Sequence, residues 1–372
     1  MSSSHKPETE RSRRNFMQKV GALAAASSMA HAQDPQAGPP QGAPPAGGRG
    51  GRGGGRGGAA ARAPGPEAKL PMPTVKYGPY QIGRLILGCN GPGMHFSAKE
   101  SAEGRTYLTP EKTAEENSHM LELGINVMEG GNRFAQHAAK TGEKTLWSAR
   151  GTAKAEGSSA QNWQSPKDLV ANAIVKPISI HHVGFGNTGT DAWWRQKKLN
   201  NVREWCKMAR DSGVLVAVTS HRPEVIMEIE SQGWDLDYYM CCLYKYGRTR
   251  SELLDAFKSN PGMMPVDIMD EIGASELYGG GSLFVAGDPP EMLKVVKQCK
   301  KPCWVYKMLA SGRLAQNESA IEERFKYILS NIKSTDTMVV GMWGRYSDEF
   351  GLNKEYVVKY SSASIQAPVP SV

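Results

Sequence analysis

Long apolar runs are missing from this sequence. The apolar stretch nearest the N-terminus extends only from Val20 to Ala30, eleven weakly apolar residues. A helix needs roughly 20 apolar residues to cross a bilayer. The sequence therefore predicts no stable membrane anchor.

Cysteine is also scarce, with six in 372 residues. Cys299 and Cys303 flank a predicted helix-to-strand turn and are the one pair placed to bridge. No second pair at metal-ligand spacing accompanies them, which excludes the common zinc signatures. We expect most of the cysteines to be reduced core residues.

Large apolar side chains are too few in the first 73 residues to form a core. That segment carries ten Lys and Arg against four Asp and Glu, so it accounts for +6 of the formal net charge of +8. The remainder is near neutral, and we expect no nucleic-acid partner. Residues 33–73, rich in Pro, Gly and Arg, are predicted to be a disordered linker.

The N-terminus carries a secretory pattern over residues 1–32. Arg13 and Arg14 precede Phe16, a short Ala/Ser-rich region follows, and Ala30-His31-Ala32 supplies a cleavage site. This pattern resembles a twin-arginine signal peptide. The resemblance implies the twin-arginine translocase as a partner and a periplasmic or secreted location.

The rest of the chain alternates apolar runs with helical patterns. Residues 74–360 are the size of one barrel domain, with a flexible tail at 361–372, and we predict a single-domain (β/α)8 TIM barrel. A small hairpin from Val75 should close its base, and the segment 247–284 should roof its active face. Eight strands are predicted, beginning at Leu85, Asn126, Thr145, Pro177, Leu215, Asp237, Cys303 and Thr337.

Polar side chains follow the predicted strands at their carboxyl ends. In such a barrel these ends share one face, where active sites lie. Strand parity predicts that His181 and Lys307 both point inward, with Lys307 on the same face of its strand as Val305. The candidates at this face are Asn90, Glu129, Arg150, His181, His182, His221, Tyr244, Lys307 and Arg345.

Five short motifs resemble the aldo-keto reductases in element order between residues 80 and 345. Parts of the chain also resemble a group of exported barrel proteins that are themselves called aldo/keto reductases. The motifs are Gly124-Ile-Asn-Val-Met-Glu129, Ile180-His181, Val218-Thr-Ser-His-Arg-Pro-Glu224, Leu309-Ala-Ser-Gly-Arg-Leu314 and Val339-Val-Gly-Met342.

This resemblance implies an NAD(P)-linked oxidoreductase acting on a small carbonyl or sugar substrate. The catalytic tetrad of the family maps onto Glu129, Phe134, Arg150 and His181, and only the histidine is retained. Phenylalanine cannot donate a proton, so Tyr244 or Lys307 would have to replace the missing general acid.

The resemblance also implies that NADP or NAD, tightly held, binds at the ends of the last two strands. A glycine that allows close approach and arginines that pair with phosphate suit that role. The residues implied are Asn90, Ser311, Gly312, Arg313, Trp343 and Arg345.

Three other interpretations stay open. Glu129, His181 and His221 can bind a divalent metal in a sugar isomerase, epimerase or lyase. Lys307 can form a Schiff base with a carbonyl substrate. A non-catalytic, solute-binding barrel can use a stacking floor, made of Trp193, Trp194 and Trp343.

Overall fold

The computed structural model describes most of the chain from residue 71 onward. Asn90, Phe134 and Arg313 lie outside the described residues, as do the predicted signal peptide and nearly all of the predicted linker. The described residues are 71–89, 106–130, 139–142, 145–155, 163–258, 277–282, 284–312, 314–315 and 317–365.

Eight parallel strands form a closed barrel, which confirms the predicted fold. A hairpin of β1 (Thr74–Tyr77) and β2 (Tyr80–Gly83) precedes the barrel, and an antiparallel pair, β9 (Tyr246–Thr249) and β10 (Leu277–Ser282), follows its sixth strand. The barrel strands are β3 (Leu85–Gly88), β4 (Val127–Glu129), β5 (Leu146–Gly151), β6 (Ser179–His182), β7 (Leu215–Ser220), β8 (Tyr238–Cys242), β11 (Cys303–Tyr306) and β12 (Thr337–Val340).

Helices alternate with these strands and begin where the sequence offers caps. Thr109, Ser165 and Asn317 each accept a backbone N–H through their side chains, and proline opens several first turns. The helices are α1 (Pro110–Glu122), α2 (Pro166–Ala171), α3 (Thr190–Arg195), α4 (Asn200–Arg210), α5 (Pro223–Ser231), α6 (Arg250–Lys258), α7 (Asp288–Gln298), α8 (Glu318–Leu329) and α9 (Glu349–Ile365).

The base of the barrel is filled by large side chains. Tyr77 from the hairpin packs edge-on against Tyr238 and Trp304, and those two rings stack at 4.3 Å. Ile86 and Val127 belong to the same interior cluster. The hairpin thus closes the base as predicted, and polar groups are left to the carboxyl ends of the strands.

The parity predicted for β11 is wrong. Trp304 belongs to the interior cluster, whereas Val305 packs in the larger core between strands and helices. Tyr306 is therefore the inward residue at the end of this strand. Lys307 follows the strand with a left-handed φ of 62°, so it is no longer part of the ladder.

Several smaller expectations can be compared with the structure. All six cysteines are free thiols, and Cys299 and Cys303 are not bridged. The last helix continues to Ile365, beyond the predicted barrel end at residue 360. Met72 already packs in the core, ahead of the predicted start at residue 74. Among the described residues, no helix is both long and apolar enough to cross a membrane.

Candidate functional site

The upper interior layer of the barrel is polar. Glu129, Arg150 and His181 lie at or next to the ends of three neighbouring strands, at inward-facing positions. Arg150 pairs with His181 in the ladder, and Glu129 pairs with Ser148 two residues before Arg150. Tyr306 takes the inward position on β11, and His221 directly follows β7. The structure thus brings together four of the predicted residues and adds a tyrosine.

Glu129 and Arg150 form a bidentate ion pair. The guanidinium Nε lies 2.7 Å from Oε1 and one Nη lies 2.9 Å from Oε2. Burial opposes ionisation of Glu129, but the charge of Arg150 outweighs it and holds the pKa of the carboxyl well below its usual range. Gly130 adopts a φ of 61°, and a Cβ there would collide with the Arg150 side chain. The glycine therefore permits the pair to form.

His181 is buried beside this pair, and its ring closes a chain of hydrogen bonds. Nε2 lies 3.3 Å from Glu129 Oε1, and Nδ1 lies 3.1 Å from Ser148 Oγ. Ser179 donates to Ser148 at 2.8 Å, and Tyr238 lies 2.9 Å from Ser179. Burial, which outweighs the Glu129 hydrogen bond, lowers the pKa of His181. A neutral ring that donates to Glu129 and accepts from Ser148 satisfies both partners.

A second group of side chains meets on the opposite side of this layer. His221 Nδ1 lies 2.8 Å from Asp191 Oδ2, and His221 Nε2 lies 3.1 Å from the hydroxyl of Tyr306. Asp191 also accepts a 2.5 Å hydrogen bond from Ser220. These contacts fix the imidazole between a carboxylate and a phenol.

His221 is buried yet charged at neutral pH. Burial opposes the charge, but Cys242 and the Asp191 carboxylate together raise the pKa of His221 to about 9. A protonated ring donates through Nδ1 to Asp191 and through Nε2 to Tyr306. The phenol then accepts from His221, so its own proton is directed away from the ring.

Two partly exposed hydrogen-bond donors at this face each contact a buried partner. Arg150 is 26% exposed and is backed by Glu129, which is 4% exposed. Tyr306 is half-buried and is backed by His221, which is 2% exposed. Burial is the main cause of the raised pKa of Tyr306, followed by the nearby Cys242 and Asp191, so its hydroxyl is protonated at neutral pH. A substrate can therefore meet two hydrogen-bond donors whose partners are shielded from water.

Two predicted residues are not part of this cluster. Tyr244 is 2% exposed and packs edge-on against Phe284 in the helix-facing core. His182 points away from the barrel interior, where Nε2 accepts the backbone N–H of Ala153. Burial raises the pKa of the Cys242 thiol, but His221 and the nearby Lys307 together lower it.

The loop after β11 partly suits a bound cofactor. Ala310 and Ser311 have left-handed φ values of 50° and 52°, and Gly312 follows at 85°. The Ser311 hydroxyl is buried and has no hydrogen-bond partner among the described residues. A strained turn with an unsatisfied hydroxyl fits a ligand at this strand end.

The loop after β12 does not suit a phosphate. The backbone N–H groups of Trp343 and Gly344 are taken by the carboxylates of Glu349 and Glu116, at 3.1 and 2.7 Å. Burial and the nearby Glu116 raise the pKa of Glu349 to about 7. Arg345 lies over aromatic rings, 5.9 Å from that of Trp343. Two carboxylates thus occupy the amides that a phosphate would need.

Among the described residues, the predicted metal-binding set and the predicted tryptophan floor are not assembled. Within the described ranges, no group of three or more His, Cys, Asp and Glu is placed to hold a metal, so Glu129, His181 and His221 do not form one site. The three tryptophans share no floor either. Trp193 is buried in the core, Trp194 lies on the helical layer, and Trp343 packs against Tyr107.

Sequence reasoning missed Tyr306, Asp191 and Cys242. Tyr306 and Cys242 lie in apolar runs of the sequence, and each is the last residue of its strand. Their side chains alternate with Val305 and Cys241, and this parity indicates the inward face once the strand boundary is known. Asp191 carries no local signal, because its role depends on the approach of α3 to β7.

Neither a protein-family model nor a curated protein matches the chain. Solved structures similar to it include 3-deoxy-D-arabino-heptulosonate 7-phosphate synthase from Thermotoga maritima (12% identity, 78% of this chain and 92% of that chain, TM-score 0.39). Others are Haloferax volcanii malate synthase (8%, 78% and 74%, 0.36) and 7,8-dihydropteroate synthase from Vibrio fischeri (9%, 79% and 99%, 0.30). Such distant similarities carry no argument about activity, so any proposal rests on the geometry above.

Proposed function

We propose that this barrel is an enzyme that activates a small carbonyl or sugar substrate, with Tyr306 as the proton donor. The observation that supports this most is the hydrogen-bonded line from Asp191 through His221 to the half-buried Tyr306. It supplies the general acid that the reductase resemblance lacks at Phe134. A positioned acid of this kind contributes roughly 10²–10⁴ in rate.

Arg150 is proposed to polarise the substrate oxygen. Its guanidinium is held by two hydrogen bonds to Glu129, so its orientation is fixed before a substrate binds. The carbonyl oxygen would accept hydrogen bonds from Arg150 and Tyr306 together. As negative charge develops on that oxygen, the proton of Tyr306 moves to it, and the charged His221 stabilises the resulting phenolate.

His181 is proposed to position Glu129. Since its neutral ring donates to Oε1, it helps to keep the carboxylate facing Arg150. Lys307 is not the acid in this scheme, because it follows the end of β11 and Tyr306 takes the inward position on that strand.

Two reaction classes can use this acid. Nicotinamide-linked carbonyl reduction is favoured by the reductase-like strand ends and by the unsatisfied hydroxyl of Ser311. When bound, a nicotinamide would supply the hydride. Redox-neutral isomerisation or epimerisation is favoured by the loop after β12, where Glu116 and Glu349 already occupy the amides.

One experiment with two arms separates these classes. The full-length protein is incubated with a panel of aldehydes, ketones and sugars, first with NADH or NADPH and then in deuterated water without cofactor. Cofactor oxidation supports reduction, and deuterium uptake beside the carbonyl supports isomerisation. In either arm, Tyr306→Phe should remove the activity. No turnover in both arms, or full activity in Tyr306→Phe, would reject the proposal.

A further inference from the structure

A pocket of about 280 Å³ lies in the helical layer. It is lined by residues of α3, α4, α5 and the turns beside them, and none of its lining residues belongs to a barrel strand. The volume is just below the roughly 300–1,000 Å³ of ordinary ligand pockets. It suits a molecule of monosaccharide size and excludes a dinucleotide.

Two indole rings in the pocket are held by one hydrogen-bonded network. Trp194 Nε1 donates to Glu228 Oε2 at 2.7 Å, and Trp234 Nε1 donates to Gln232 Oε1 at 2.9 Å. The amide of Gln232 in turn donates to Glu228 at 3.3 Å. The rings and the polar groups between them are therefore oriented before any ligand arrives.

The remaining lining is polar and carries a positive excess. Arg203 lies over the Trp234 ring at 5.9 Å, and Lys197 lies over the Trp194 ring at 5.5 Å. Lys197 adopts a left-handed φ of 60°, a strained backbone conformation. Asn200 adds an amide. Two cations and one carboxylate, that of Glu228, thus line the pocket.

The mixture of groups limits the ligand class. An apolar ligand would displace water from Lys197, Arg203 and Asn200 without replacing its hydrogen bonds, which is costly. A small inorganic anion would use the cations alone and leave the indoles unused. A sugar ring offers an apolar C–H face for the partly exposed Trp194 ring, since Trp234 is only 3% exposed, together with hydroxyls that donate and accept.

We propose that the pocket formed by Trp194, Trp234, Arg203 and Glu228 is a saccharide-binding site, with a preference for acidic sugars. This inference is independent of the proposed function, because it uses no residue of the barrel mouth. A single sugar unit should bind with a Kd of about 1 mM. A uronate should bind more tightly than the matching neutral sugar, because the lining has a positive excess.

The test is calorimetric titration of the full-length protein with glucose, galactose, glucuronate and galacturonate. Trp194→Ala and Arg203→Ala should each weaken binding by about tenfold. Lys207→Ala is the matched control, since this cation lies on the same helix and pairs only with the exposed Glu204 among its described contacts. Tyr306→Phe should bind as the unaltered protein does, and melting curves confirm that each variant is folded.

Two results would overturn the proposal. One is the absence of saturable binding of any of the four sugars at millimolar concentration. The other is binding that survives Trp194→Ala and Arg203→Ala but disappears in Tyr306→Phe, which would move the sugar to the barrel mouth.

Discussion

His181 and His221 are both 2% exposed at the same face of the barrel, yet their pKa values move in opposite directions. Each contacts a carboxylate. Glu129, the partner of His181, is already neutralised by two hydrogen bonds from Arg150. Asp191, the partner of His221, pairs with no Lys or Arg among the described contacts, so its charge remains available to the ring. Cys242, the largest of the effects that raise the pKa of His221, acts together with Asp191, whereas burial dominates at His181.

This difference divides the site into two functional halves. The Glu129, Arg150 and His181 half presents a fixed cation, with a neutral histidine behind it. The Asp191, His221 and Tyr306 half presents a phenol backed by a cationic histidine. One half is suited to hold an oxygen atom and the other to protonate it.

The largest effect is expected from removing the phenol of Tyr306, which the half of the site containing Asp191 and His221 presents. Tyr306→Phe should lower turnover by roughly 10²–10⁴, because it removes the proton donor that His221 holds in position. Stability should change little, since the ring remains. The matched control is Tyr244→Phe, which should keep full activity because Tyr244 lies in the helix-facing core. Loss of activity in the control alone would restore the sequence-based assignment.

The next largest effect concerns the neutralised carboxylate. Glu129→Gln leaves the Arg150 charge largely buried without its partner, and the free energy of unfolding should fall by about 3–5 kcal/mol. Urea denaturation measures this. Asp168→Asn is the control, because that carboxylate is exposed and accepts a local hydrogen bond from Ser165, and the change should cost less than about 1 kcal/mol. Equal losses in both variants would contradict a special role for the buried pair.

The fold was largely predictable from the sequence, because apolar runs and caps recur along it. Glu129, Arg150 and His181 were predictable as a group, since each lies at or next to the end of a strand and strand ends share one face. Tyr306 was not predictable, because the strand ends at Tyr306 only through the left-handed backbone of Lys307. The sequence-based parity for this strand was off by one residue, and such an error exchanges the inward and outward side chains. Asp191 was not predictable either, since a contact between α3 and the loop after β7 leaves no local pattern.

The free energy of unfolding should depend on pH through His221. The pKa of His221 is about 9 in the folded chain and about 6.5 when unfolded. Its contribution, about 3 kcal/mol, is therefore fully present below pH 6.5 and is lost as the pH rises through 9. Denaturation curves of the unaltered protein and of His221→Gln should converge over this range. Parallel curves would contradict the raised pKa.

The smallest effect is expected at Lys307. Its left-handed backbone costs roughly 1–2 kcal/mol, so Lys307→Gly should stabilise the fold by about 1 kcal/mol and keep activity. Lys197→Gly, at a similar φ of 60°, is the control and should respond alike. Loss of activity in Lys307→Gly alone would favour a Schiff-base lysine.

Titration of the histidine rings by NMR tests the central claim most directly, because it needs no substrate. The full-length protein with ¹⁵N-labelled histidine should show His221 protonated at neutral pH and titrating near pH 9, with His181 neutral throughout that range. Asp191→Asn should lower the pKa of His221 and leave His181 unchanged. A neutral His221 at pH 7, or the same charge on both rings, would contradict the account.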